Sequence, residues 1–137
     1  MFQTHRLGLL IEAQLKAGQL AATATTLDEA FAMSEQSGQR SFDAELHRLR
    51  GEWLVQSGVK SEESAADAAF AQAIKTARSQ EARSFELRAV TSLCRLWQCQ
   101  GKRREAHQLL AEIYGWFTEG FDTVDLQAAK ALLAALT

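Results

Sequence analysis

Three observations predict an all-α fold. The chain of 137 residues contains no proline, the residue that breaks helix interiors by removing a donor and crowding the preceding turn. Strong helix formers, Ala, Leu, Glu, Gln and Arg, are abundant. Apolar residues recur at about the 3.6-residue helical period, without the strict alternation of a strand. The expected content is roughly 70% helix or more and no strand, against about one third helix in globular chains generally.

Seven helices follow in order. The first covers 3–17 and stops at Gly18; the second runs 20–37 to Gly38. The third runs 42–57, with Ser41 as N-cap and Gly58 beyond its end. The fourth starts after Ser61, whose hydroxyl can cap amides, and Glu62 and Glu63 suit the positive end of the helix dipole. It continues to Ser79. The fifth runs 82–100 to Gly101, the sixth 103–117, and the seventh from Asp122 or Thr123 to the end, with Asp125 in its first turn. A glycine just past a helix supplies the left-handed turn that closes it. Connections of two to five residues make successive helices antiparallel neighbours.

Composition excludes several classes. The length suits one domain. With 47% apolar and 23% charged residues, the chain is ordinary for a globular protein. The longest strongly apolar run, Leu7 to Ile11, is far too short to span a membrane. No basic-then-apolar signal segment opens it, so a cytoplasmic location is expected. A net charge of -2 disfavours nucleic acid as the main partner.

Catalytic patterns are missing. The eight glycines are isolated and form neither a GxGxxG nor a GxxxxGK[ST] loop, and there is no GxSxG elbow. His5, His47 and His107 lie far apart, and none belongs to a metal-binding pattern. Cys94 and Cys99, five residues apart on one helix, point in different directions; they are expected to be structural thiols rather than a disulfide or a zinc site. The expectation is therefore no enzyme activity, no cofactor and no metal.

A repeat underlies the helices. Gly18, Gly58 and Gly101 separate helix pairs, and the helix after each carries an apolar pair three residues apart: Leu27 and Ala30, Phe70 and Ala73, Leu110 and Ile113. Both positions recur at intervals of 43 and 40 residues. In the third unit Leu93, Trp97, Gly101, Ala106 and Leu110 resemble the Leu, Tyr, Gly, Ala and Phe positions of a tetratricopeptide repeat. The second offers Gly51, Leu54, Gly58, Ala66 and Phe70, with three extra residues before the alanine and an insertion at Val59 to Glu62. Units here are longer than the usual 34 residues and lack the closing proline. The resemblance implies a right-handed superhelix of three tetratricopeptide-like helix pairs plus a C-terminal capping helix: units at about 1–40, 41–81 and 82–120, and a cap at 122–137. A helical bundle with accidental periodicity is the alternative.

A second resemblance is more specific. Ala44 to Leu54 (AELHRLRGEWL) and Arg83 to Leu133, above all Tyr114 to Asp122 (YGWFTEGFD), look like the end of a bacterial family of large multidomain regulators. Those proteins carry a nucleotidyl cyclase or winged-helix output domain, then a signal-transduction ATPase, then a C-terminal tetratricopeptide-like array. The resemblance implies a partner-binding or sensory tail, with catalysis in domains other than this one. Cyclase metal aspartates and a Walker lysine loop are absent from these residues.

In such stacks the first helix of each unit lines the concave face. The groove residues are then His5, Glu12 and Lys16; Glu45, Arg48, Glu52 and Gln56; and Arg88, Arg95 and Gln98. They are expected to be exposed, with Arg88 and Arg95 holding the acidic groups of an extended or helical peptide; a groove whose charges only pair with one another is the alternative. Trp53, Trp97 and Trp116 are expected to pack between helices rather than stack a ligand, and Lys102, Arg103 and Arg104 to form a solvated turn. Phe2, Leu9 and Leu10 give the first helix more apolar surface than one neighbour covers, so the N-terminal face is expected to be incomplete and to pair with a second copy or another domain. The function expected is a protein-binding scaffold with a protein or peptide partner and no membrane contact. A sensor with a small inducer in the groove, or a self-associating module, are the alternatives.

Overall fold

Glycine ends most of the helices. Gly18, Gly38, Gly58 and Gly101 all take a left-handed backbone, with φ between 72° and 81°, a conformation that costs L-residues with a Cβ far more. The computed structural model describes residues 2–120 and 123–137, with side chains from Arg6 onward. Its helices are α1 (Phe2–Lys16), α2 (Leu20–Ser37), α3 (Asp43–Gln56), α4 (Glu63–Ser79), α5 (Arg83–Cys99), α6 (Arg103–Tyr114) and α7 (Val124–Leu136), with a 3-10 turn at Lys60–Glu62 before α4. They cover about three quarters of the chain, and no strand occurs among the described residues. The molecule is an all-α bundle in which each helix packs on the next.

Two caps differ from expectation. Ser41 does not cap α3, which starts later, after Phe42, with no side-chain hydrogen bond at its N-cap. There the Asp43 amide already closes a turn on the Arg40 carbonyl at 3.0 Å. Ser61 lies inside the 3-10 turn, where the Glu62 amide bonds the Val59 carbonyl at 2.9 Å, and α4 follows with no side-chain cap. Thr123 does cap α7, its hydroxyl accepting from the Leu126 amide at 3.4 Å. The other expected start, Asp122, lies with Phe121 outside the described residues.

Beyond the sequential contacts, α1 packs on α3, α3 on α5 and α5 on α7. The odd-numbered helices thus form a continuous row. The apolar pairs that recur at 43 and 40 residues are core: Leu27, Ala30, Phe70, Ala73, Leu110 and Ile113 are buried, while Leu54 and Trp97 are half-buried. Ala66 and Ala106 are buried as well, together with Thr23, 43 residues before Ala66. The tight approach of α3 and α4 rests on Gly51, whose absent Cβ would lie 2.5 Å from the Phe70 ring.

The apolar core has two parts. One joins Ile11, Leu15, Leu27, Ala30, Leu46 and Leu49 from α1 to α3. The larger fills α4 to α7 around Phe70, Leu87, Val90, Leu110 and Leu126. Buried acids hold the starts of two odd helices. Asp43 accepts from the Ser34 hydroxyl and pairs with Arg40, while Glu86, 43 residues on, accepts from Arg78 Nε at 2.5 Å. Each acid sits in a first turn, where the helix dipole favours negative charge.

Candidate binding cleft

The odd-numbered row presents a cleft of about 480 Å³. Glu12, Lys16, Arg48, Glu52, Gln56, Arg88 and Arg95 all line it, so seven of the ten groove residues named from sequence converge. Glu45 lies beneath them and is 1% exposed rather than at the surface. Arg48 also departs from expectation, with its side chain 13% exposed. Gln98 is half-buried and is not among the residues that line the cleft, and the side chain of His5 lies outside the described residues. The seventh helix adds Val124, Asp125 and Ala128, and α5 adds the buried Thr91 and Ser92, none of which sequence reasoning placed in the groove.

Charges alternate across the floor, from α1 to α7. Glu12 meets Arg48 at 3.3 Å. Arg48 donates to Glu45 through Nε at 2.7 Å and Nη2 at 3.2 Å. Glu45 also accepts from Arg88 Nη1, and Arg88 Nε reaches Asp125 at 3.1 Å. Glu52 stands 4.0 Å from Arg48. Glu45 and Arg88 are 43 residues apart, the interval of the first two units, so one position of the pattern carries opposite charges on adjacent helices. Burial pulls the Arg48 guanidinium down, but its hydrogen bonds to Glu45 and the charges of Glu45, Glu52 and Glu12 outweigh that and hold it above its ordinary value.

This network uses Arg88 internally. Here the arrangement is that of the alternative, charges that pair with one another: the Arg88 guanidinium bridges Glu45 and Asp125 through Nη1 and Nε. Gln56 is tied too, donating to the Leu15 carbonyl at 2.7 Å. Lys16 and Arg95 are exposed and make no ion pair among the described residues, so they are the cations of the cleft open to an incoming group.

The other singled-out residues are dispersed. The Trp53 indole donates to the Leu20 carbonyl and the Trp97 indole to Asp67, each at 2.9 Å, tying an odd helix to the even helix before it. Trp116 stands apart, with Arg83 over its ring at 5.5 Å. Lys102, Arg103 and Arg104 are exposed; Arg103 donates to the Ala135 carbonyl at 2.6 Å and Lys102 lies over Trp97. Both cysteines are free: Cys99 is exposed and Cys94 is buried. Burial pushes the Cys94 thiol up to about 12. His47 packs on the Phe31 ring; burial lowers its pKa, Asp43 opposes this and Arg50 adds to it.

Among the described residues no group of His, Cys, Asp and Glu is arranged to hold a metal, and no helix is long and apolar enough to cross a membrane. No family model matches the chain, and no curated protein or solved structure matches it.

Proposed function

We propose that this chain is a protein-interaction scaffold, with a peptide of its partner lying along the cleft. The observation that carries the reading is the row α1, α3, α5 and α7, which supplies one open cleft with paired charges on its floor and two unpaired cations, Lys16 and Arg95, at its surface. An open, mixed-charge groove suits an extended segment better than an enclosed small molecule. Charges already paired fix the register of the floor, and the two remaining cations select for acidic groups on the partner.

On this reading the fold is a right-handed superhelix of three tetratricopeptide-like pairs capped by α7, and the molecule binds rather than catalyses. It acts as the partner-binding or sensory tail of a bacterial cytoplasmic signalling or transcription regulator. The support is the resemblance of Ala44–Leu54 and Arg83–Leu133 together with the burial of the apolar pairs Leu27 and Ala30, Phe70 and Ala73, and Leu110 and Ile113. Leu9 and Leu10, 56% and 46% exposed on α1, are the surface for pairing with a second copy or a neighbouring domain.

Site-specific photo-crosslinking tests the cleft. A crosslinker at Ala128 in the cleft is compared with one at exposed Gln72 on α4. The expected result is a discrete adduct from the cleft position alone, lost when Lys16→Glu and Arg95→Glu are combined. Equal adducts from both positions, or adducts indifferent to the charge reversal, would overturn the reading. Arg88 is left intact because Arg88→Glu would put a second carboxylate against buried Glu45.

A further inference from the structure

A second recess, also about 480 Å³, lies beside the cleft where the end of α3, the connection to α4 and α5 meet. The inserted residues build its outer wall. Between α1 and α2, and between α5 and α6, the chain turns within three residues, whereas residues 57–62 add Val59 and the 3-10 turn. Val59 is left half-exposed, and the recess it borders has Phe70, Leu54 and Leu96 as apolar lining and Cys99 at its edge. The volume falls within the range of ligand pockets, roughly 300–1,000 Å³.

The charges at the rim select an occupant. Lys60 and Arg95 are exposed and make no ion pair among the described residues. Of the two rim carboxylates, Glu52 faces Arg48 and Glu63 sits in the first turn of α4, at the positive end of that helix. Lys60 and Arg95 are thus two cations without an ion pair among the described residues over an apolar lining, and Glu63, also without one, is the carboxylate that an anionic head must keep clear of. We propose that this recess binds an amphiphilic carboxylate: its apolar tail lies against Leu54, Val55 and Val59, above the buried Phe70 and Leu96, and its head takes the forked donors of Arg95, with the Lys60 ammonium beside it. The recess shares Arg95 with the cleft, so acid and peptide compete for that cation, but the test uses no partner protein and its failure is distinct from failure of the peptide reading.

The purified chain is titrated calorimetrically with decanoate, decylammonium and decanol, each below its aggregation concentration. Alkylation of Cys99 is followed in parallel, Cys94 being buried. Decanoate is expected to bind at one saturable site and to slow Cys99 alkylation, with the other two probes about tenfold weaker or more. Arg95→Gln is expected to weaken decanoate about tenfold, the loss of a hydrogen bond to a charged group. Val59→Trp, which fills the recess from an exposed loop, is expected to abolish binding, and Cys99→Phe serves the same purpose should the first variant fail to fold. No saturable decanoate binding, equal affinity for decylammonium or decanol, or unchanged affinity in a folded recess-filling variant overturns the proposal.

Discussion

A methyl group at Gly51 would stand 2.5 Å from the Phe70 ring, which is 1% exposed and packed in the core of α4 to α7. Alanine is a better helix former than glycine by about 1 kcal/mol. Overpacking a filled core costs about 1–3 kcal/mol. The clash outweighs that gain, so Gly51→Ala is expected to lower stability by up to about 2 kcal/mol in urea unfolding. A gain in stability would show that α3 and α4 can separate freely. The pair is partly legible in the sequence, where Gly51 and Phe70 both fall on repeat positions. That one would fall directly over the other depends on the crossing of α3 and α4, which no spacing in the chain encodes.

At the scale of elements, helix ends were read well where glycine closes them and poorly where serine was expected to open them. A left-handed glycine is a property of one residue, so it reads directly. A cap requires free amides at the right place. At Ser61 the Glu62 and Glu63 amides are bonded within the 3-10 turn that contains it, and at Ser41 the Asp43 amide is already bonded to the Arg40 carbonyl as α3 begins. Thr123 is different: its extended backbone (φ -69°, ψ 153°) aims the hydroxyl at the Leu126 amide. Thr123→Ala is expected to cost about 1 kcal/mol. Ser41→Ala and Ser61→Ala should each stay within about 0.5 kcal/mol. Chemical denaturation of the three variants separates them; a Ser61→Ala loss equal to that of Thr123→Ala would restore Ser61 as a cap.

For the whole molecule, the alternating chain from Glu12 to Asp125 joins four helices through one buried carboxylate. Glu45 stands between Arg48 and Arg88, and removing it leaves two guanidinium groups facing each other. Breaking a buried pair costs about 3–5 kcal/mol. The Arg88 side chain is 34% exposed, so solvent screens part of that cost. Glu45→Ala is expected to destabilise the fold by about 2–3 kcal/mol, with much less recovery in salt than an exposed pair would show. A loss under about 0.5 kcal/mol would mean that the network contributes register and little stability.

The sequence by itself determined the helical class, the seven helices and most of the residues that meet in the cleft. Those features rest on local propensity, a period that repeats along one helix face, and the intervals of 43 and 40 residues between units. Only the tertiary structure decided which groove charges are spent and which are free. Glu45 and Arg88 read as two exposed positions of a repeat, yet adjacent helices bring them together, bury the acid and engage the arginine in an internal ion pair. The same packing adds Asp125 from α7 and leaves Lys16 and Arg95 unpaired among the described residues. Burial and charge pairing depend on the distance between helices distant in sequence, so they emerge once the row of odd-numbered helices is assembled.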